Sequence, residues 1–427
     1  SPRIRRVASA LSSRALSSRA LSSRAPLGTA KSGGSEGDAL ICRNRLAVGE
    51  PLTPRSLPGS QRFSQVSVSG SGYSMGQDKL DNVRVSAGTA SVLGLSRIAS
   101  FDEPTCAYVM IGERCAHDCA FCAQARSSAA PGDKLSRVTW PEFSAHDLAQ
   151  ALSAAAGEGR VQRACAQIVG SPGAFERSIA ALDLLRGAVG MRVPVSVSFS
   201  ATARIEHVEA LMDAGAERVA LPIDACNEQL YRDIKGGHDM PRALGLIGEC
   251  ARRFPGRVST HLIVGLGETQ EEVVSLAASM YQQGVTVGLF AFTPLPGTRL
   301  AKRQPPDLNS YRRIQLCCHL LKRASLGQAA EGPPDFRFSS GRLTGISLPR
   351  PVHDMAALWG DAFRTSGCPG CNRPYYNERP GQIPYNYPRP LTPAELADAV
   401  AMALDGVRLE ATGPEPGPGS LGLAHSE

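Results

Sequence analysis

Three cysteines open the question of chemistry. The stretch Cys115-Ala-His-Asp-Cys119-Ala-Phe-Cys122 holds three thiols within eight residues. Thiolates at this spacing can wrap one face of a cubane [4Fe–4S] cluster and leave one iron without a protein ligand. A structural zinc ion asks for four ligands, and the nearby fourth candidate, His117, lies inside the loop and points away if the thiolates converge. A second pair, Cys368-Pro-Gly-Cys371, lies in a loop rich in Gly and Pro. Its spacing lets two thiolates grip one metal or one cluster edge. Half a zinc knuckle or a redox dithiol are the alternatives. No other C-x-x-C outside the first motif completes a zinc ribbon, and a thioredoxin-type dithiol would have to open a helix.

Positioning these thiols requires a scaffold, and the hydrophobic pattern supplies one. Short β-branched runs at Tyr108–Ile111, Ala164–Val169, Val193–Phe199, Arg218–Ile223, Val258–Val264, Val285–Phe292 and Phe336–Ser339 read as strands. Helical stretches separate them at Ala145–Ala156, Phe175–Gly187, Arg204–Ala214, Gln229–Lys235, Pro241–Phe254, Thr269–Gln283 and Asn309–Ala324. Strands alternating with helices imply βαβ units and a parallel sheet. The expected fold class is α/β, a parallel (β/α) TIM-type barrel, closed or nearly closed. Chemistry in such barrels sits at the carboxyl ends of the strands, and the three-cysteine motif comes directly after the first one.

Alternation on the second strand can aim Cys165 into the barrel. Cys106 begins the first strand and could face the barrel base or the cluster loop. Cys226, Cys250, Cys317 and Cys318 fall on or beside outer helices and read as small buried hydrophobes. Cys42 lies in the N-terminal tail.

Composition limits the alternatives. The chain has 427 residues, 42% of them hydrophobic, enough for one large domain with extras. Twelve cysteines in that length are too dilute for a disulfide-stapled mini-protein. No apolar run approaches the ~18 residues of a membrane-spanning helix, and a cytoplasmic protein is expected. The net charge is +7, but the first 74 residues hold 11 Lys/Arg against three acids. The chain beyond residue 74 is close to neutral, which gives no support for nucleic-acid binding.

The basic tail repeats Ala-Leu-Ser-Ser-Arg between Leu11 and Arg24. Arg- and Ser-rich, acid-poor text is the composition of a transit peptide. A chain beginning with Ser, Met75 at the head of the first ordered-looking sequence, and no helical apolar period favour a disordered or over-extended segment instead. The expected division is a tail over 1–74, a barrel core over 75–345, a C-terminal extension bearing the C-x-x-C over 346–411, and a frayed end over 412–427.

With its motif after the first strand and an aromatic before the last cysteine, the chain resembles the radical S-adenosylmethionine (SAM) superfamily from about Asp78 to Leu396. The resemblance implies that Cys115, Cys119 and Cys122 hold a [4Fe–4S] cluster whose open iron chelates SAM. Reductive cleavage of SAM then yields a 5′-deoxyadenosyl radical. It also implies cofactor contacts at Phe121 (adenine), Gly170 in Val169-Gly-Ser-Pro-Gly173 (methionine amine), Asp224 in Leu221-Pro-Ile-Asp224 (ribose), and Gly265 and Gly267 in Val264-Gly-Leu-Gly-Glu268. Read as residues alone, Gly-x-Gly-Glu is an ordinary strand-to-helix turn, and Asp224 could cap the next helix.

Within the superfamily the chain looks most like the biotin synthase branch, including Phe336-Arg-Phe-Ser-Ser-Gly-Arg342. That branch holds a second cluster deep in the barrel on three strand cysteines and an arginine. Cys165 matches the first of those cysteines and Arg337 the arginine. Val195–Ser200 offers no cysteine and Val258–Val264 offers Ser259, so Cys368 and Cys371 could replace the missing pair by folding over the barrel mouth. The Cys-Pro-Gly-Cys-Asn-Arg-Pro-Tyr-Tyr-Asn-Glu-Arg-Pro segment and Arg126-Ser-Ser resemble the two-component lipoyl synthases.

This likeness implies sulfur insertion into an octanoyl chain on a lipoyl-carrier protein, with a sacrificial auxiliary iron–sulfur cluster on Cys165, Cys368, Cys371 and Arg337. Its implied partners are a paralogous radical SAM protein and a reductant such as ferredoxin or flavodoxin. Two alternatives are another biotin synthase-like enzyme acting on a small molecule, and a non-catalytic module folded around zinc.

Overall fold

The computed structural model describes residues 80–97, 102–329, 332–349 and 359–411. The expectations for the N-terminal tail, including Cys42, and for 412–427 lie outside them. All described residues belong to one unit, Gln77–Glu427.

The chain enters through β1 (Asn82–Val85) and α1 (Ala87–Val92), then reaches β2 (Cys106–Ile111), the first parallel strand. The cysteine loop comes after it, with a small ribbon of β3 (Lys134–Leu135) and β4 (Val138–Thr139), and then β5 (Glu142–Ser144). Next comes the alternation read from the sequence: α2 (Ala145–Gly157), β6 (Arg163–Ile168), α3 (Ala174–Val189), β7 (Val195–Ser198), α4 (Ile205–Asp213), β8 (Arg218–Ala220), α5 (Glu228–Ile234), α6 (Met240–Arg253), β9 (Val258–Val264), α7 (Gln270–Gln282), β10 (Thr286–Ala291) and α8 (Leu308–Ser325).

Helix starts obey local chemistry. Ser144 caps α2, Asp239 caps α6 just ahead of Pro241, and Thr269 forms a reciprocal capping box with Glu272 on α7. Each cap satisfies amide groups that the first turn leaves unpaired.

The eight-stranded sheet runs β10-β9-β8-β7-β6-β2-β1-β5, with six parallel strands and an antiparallel edge made by β1 and β5. Residue parity divides its two faces. Val109, Ala164, Ala166, Val195, Val197, Val219, Val258, Leu262, Val287 and Leu289 point outward into the core under the helices. Residues of the other parity, such as Cys165 and Gln167 on β6 or Ser259 and His261 on β9, line an interior cavity. Burying each outward Val or Leu contributes about 1.5–3 kcal/mol, so this parity determines the register.

The expected closed or nearly closed barrel is corrected here: the sheet is open. Its β10 edge pairs with no strand among the described residues. C-terminal side chains take up that edge instead. Ser366 Oγ accepts from Leu289 N at 2.8 Å, and Asn377 Nδ2 donates to Ala291 O at 2.6 Å. Satisfying free edge groups in this way removes the need for ring closure.

Phe336–Ser339, expected as the last barrel strand, lies instead in β11 (Asp335–Ser339). It pairs with β12 (Arg342–Leu348), which pairs in turn with β13 (Arg408–Ala411), in a separate three-stranded sheet. That sheet and α9 (Pro393–Leu404) share a second apolar cluster with Leu316, Leu320, Trp359 and Phe363. Fully buried Arg312 ties the C-terminal segment down by donating to Pro384 O at 2.5 Å and Tyr385 O at 2.6 Å. No described helix is long and apolar enough to cross a membrane.

Candidate active site: two thiol groups at the ends of one barrel

The upper thiol group hangs on a loop held by its own backbone. Cys115 N donates to Gln124 O at 2.8 Å, Cys122 N to Cys119 O at 3.1 Å, and Ala116 N to Gly170 O at 2.8 Å. Ala120 N reaches Ile234 O at the end of α5, at 2.7 Å. The Arg114 guanidinium gathers the carbonyls of Ala123, Ser128 and Ala130 at 2.8–3.0 Å. Cys115, Cys119 and Cys122 are all half-buried. Burial pushes the Cys119 thiol up and that of Cys122 up to about 12, so neither gives up its proton readily unless a metal replaces it. Three soft sulfur donors on a rigid loop at the carboxyl end of β2 suit an iron–sulfur group.

Residues expected around SAM divide into two groups. Gly170 lies against the upper thiols, where an added Cβ would come within 2.9 Å of His117 Cδ2 and 3.2 Å of Cys115 Sγ. Phe121 is half-buried and packs on the main core. Asp224 takes a left-handed backbone at φ 64° and pairs with Lys235 at 2.5 Å. It does not cap a helix, because Asn227 caps α5. Burial alone would lower the Lys235 pKa, but the Asp224 carboxylate outweighs it and holds the ammonium charged. Gly265 and Gly267, both at positive φ, have a local packing role: a Cβ there would reach 2.8 Å from Pro306 and 2.7 Å from Arg303. Glu268 occupies the turn, accepting from the amides of Gly265 at 2.5 Å and Leu266 at 2.8 Å.

The lower group gathers Cys165, Cys368 and Cys371 along one cavity of about 50 Å³. The expectation that the C-x-x-C loop folds over the barrel mouth is corrected: it plugs the opposite, amino end of the strands. Arg163 Nε donates to Pro369 O at 2.8 Å, Thr105 Oγ1 to Gly370 O at 2.7 Å, and Thr105 N to Asn372 Oδ1 at 2.9 Å. Thr105 and Arg163 stand at the starts of β2 and β6. The lower loop thus stands before the first residue of β2 and the upper loop after its last, with Cys165 in register with Tyr108 between them. The segment then climbs beside β10, so that Asn377 reaches the strand's carboxyl end.

Cys165 Sγ accepts from Gln167 Nε2 at 3.0 Å, Cys371 Sγ lies 3.1 Å from the Tyr108 hydroxyl, and Cys368 Sγ lies 4.0 Å from Ser196 Oγ. Cys106 Sγ donates to Ala107 O at 3.9 Å and lies beside Cys371. A hydrogen bond from the Cys106 thiol, outweighing burial, draws Cys371 down to about 6, helped by Arg373 and Tyr108. Burial pushes Cys106 and Cys165 up. No group of three or more His, Cys, Asp or Glu among the described residues meets closely enough to hold a single metal ion. A cubane asks for less convergence, since each thiolate holds its own iron.

Between the two groups the cavity wall includes Tyr108, Trp140, Phe290 and Tyr376. Tyr376 lies near both Cys122 and Cys165. Burial lowers His261 to about 4, so its ring is neutral at pH 7. Arg373, over the Phe290 ring at 4.0 Å, puts a fixed cation in the same wall.

Arg337 does not join this site. It stands on β11, half exposed, paired with Glu410 at 3.0 Å, and it is not among the cavity-lining residues. The match to an arginine ligand is therefore corrected, because β11 left the barrel for the small sheet. Ser259 does line the cavity, and its buried hydroxyl has no hydrogen-bond partner. Cys250, Cys317 and Cys318 lie in apolar core as expected, and Cys226, half-buried, packs against the main core. Sequence reading missed Tyr108, Gln167, His261, Arg373 and Tyr376. For the first three the available signal was polar residues on the inward parity of strands.

Residues 109–280 match the family model of the radical SAM superfamily. These residues form a radical SAM domain. Its relatives include a biotin synthase of Nitratidesulfovibrio vulgaris, 29% identical over 212 residues, which cover 47% of this chain and 56% of that protein. A biotin synthase of Porphyromonas gingivalis is 24% identical over 262 residues, 59% of this chain and 73% of that one. The ribosomal protein uS12 methylthiotransferase RimO of Syntrophobacter fumaroxidans is 29% identical over 234 residues, 48% and 47%. The chain thus spans about half the length of the methylthiotransferase and of the first biotin synthase. The matched domain contains the upper thiols and Cys165, while Cys106, Cys368 and Cys371 lie outside it.

Proposed function

We propose that the chain is a sulfur-inserting radical SAM enzyme, one component of a two-protein lipoyl synthase acting on an octanoyl chain carried by a lipoyl-carrier protein. The carrying observation is the gathering of Cys165, Cys368 and Cys371 at one end of a cavity whose wall reaches toward the upper thiols through Tyr376. When bound, an iron–sulfur cluster with SAM at the upper thiols supplies a 5′-deoxyadenosyl radical, and a second cluster at the lower thiols supplies sulfide.

The remaining work belongs to the chain. Tyr108, Leu135, Trp140, Phe290 and Tyr376 make a largely apolar wall that suits an alkyl segment and excludes water from its carbons. Neutral His261 and Gln167 keep hydrogen-bonding capacity there without adding charge. Arg114 and Gly170 hold the upper loop in one geometry, and Arg163 and Thr105 do the same for the lower one. A paralogous radical SAM protein and a ferredoxin- or flavodoxin-type reductant are the proposed partners.

The test incubates the reconstituted protein with SAM, dithionite and an octanoylated carrier peptide, read by mass spectrometry. The expected result is a peptide heavier by sulfur, formed together with 5′-deoxyadenosine. Wild-type deoxyadenosine formation with the peptide unchanged, alone and with the paralogous protein added, would contradict the assignment. So would sulfur transfer that persists in the Cys368→Ala/Cys371→Ala protein.

A further inference from the structure

Cys106 is 1% exposed at the first position of β2 and has the inward parity of Tyr108. Three buried cysteines elsewhere, Cys250, Cys317 and Cys318, are members of apolar clusters, as small hydrophobes should be. Cys106 is as buried as they are and belongs to none of those clusters. Its neighbours are thiols instead: two residues along the same face of β2, Tyr108 meets Cys371 Sγ at 3.1 Å and stands in register with Cys165, and Cys106 itself lies beside Cys371.

The backbone holds that neighbourhood in place. Thr105, immediately before it, bonds Gly370 and Asn372 on the C-x-x-C loop, and Arg163, its register partner on β6, bonds Pro369.

We propose that Cys106 is the fourth protein ligand of the lower site, so that Cys106, Cys165, Cys368 and Cys371 together hold one iron–sulfur cluster with no open iron. This rests on the second cluster of the proposed function and adds the residue that completes it. The upper site would keep an open iron for a small-molecule chelate, and the lower site would have none. Ser259 competes for the role, since it lines the same cavity as Cys165, Cys368 and Cys371, but its hydroxyl makes no hydrogen bond to any of the four sulfurs. The four thiols do not meet at a single point, which counts against one zinc ion.

The test uses the full chain carrying Cys115→Ala, Cys119→Ala and Cys122→Ala, which leaves the lower site alone. After anaerobic reconstitution this parent should hold about four irons and four sulfides. Adding Cys106→Ala should drop iron to about three or fewer and replace the four-iron EPR spectrum of the reduced parent. Adding Cys106→Ser should retain iron with a shifted spectrum, since an oxygen ligand can stand in. Cys318→Ala serves as the buried control and should change neither, and circular dichroism checks that each protein folds. Unchanged iron and EPR in Cys106→Ala would overturn the proposal, as would loss on Ser259→Ala instead, or one zinc in place of iron. A parent without iron would overturn the second cluster itself, and Cys106 with it.

Discussion

The two thiol groups differ in how the chain builds them. The upper one comes from a single stretch of eight residues, and its geometry is set by backbone hydrogen bonds within the loop and to Gly170 and Ile234. The lower one joins β2, β6 and a loop some 200 residues further on, held by Arg163 and Thr105. A contiguous motif tolerates drift in the rest of the fold, whereas an assembled one depends on every element that meets there. The upper group can therefore lose a ligand without disturbing the barrel, and the lower group should report on the docking of the C-terminal segment.

The largest expected effect separates the groups outright. Cys119→Ala should bring reductive SAM cleavage to background, while Cys368→Ala/Cys371→Ala should leave it within about twofold and abolish sulfur transfer. Chromatographic quantification of 5′-deoxyadenosine beside peptide mass checks both, and equal damage to SAM cleavage would merge two sites into one.

A smaller effect probes the assembled side. Burial pushes Glu378 up to about 7 from its ordinary 4.5, against the pull of backbone hydrogen bonding and Arg137. A carboxyl raised in the folded state contributes stability that is fully present below pH 4.5 and lost as pH rises through 7. Between pH 5 and 8 the protein should lose about 2–3 kcal/mol at this position, and Glu378→Gln should flatten the profile. Thermal melts across that range decide it, and a wild-type profile matching the Gln variant would remove the claim.

Gly170→Ala should cost about 1–3 kcal/mol, because its Cβ would crowd His117 and Cys115. Iron bound at the upper group should fall while the lower keeps its share. The smallest effect is Arg337→Ala: a half-exposed pair with Glu410 contributes at most about 1 kcal/mol, and iron content should not change. Iron loss there would restore the arginine to the site.

The same contrast explains which features are legible in the sequence. The six parallel strands, the helices between them and the upper ligands are local patterns, period 2 or 3.6 or a short spacing, and they stand in the sequence. Cys165 was legible through strand parity. The opening of the barrel was not, since edge closure by Ser366 and Asn377 leaves no periodic trace. Arg337 was misplaced for a related reason: β11 has strand character, and no propensity says which sheet a strand joins. The end at which the C-x-x-C loop lies was hidden too, because Arg163 and Thr105 recognise it through backbone carbonyls and one amide side chain.

Iron and sulfide counts on three proteins test the central claim most directly: wild type, Cys115→Ala/Cys119→Ala/Cys122→Ala, and Cys368→Ala/Cys371→Ala, each reconstituted anaerobically. Two independent sites predict about eight of each in the wild type and about four in the upper variant, with the lower variant close to four. About four in the wild type, falling to none in the upper variant, would contradict a second site.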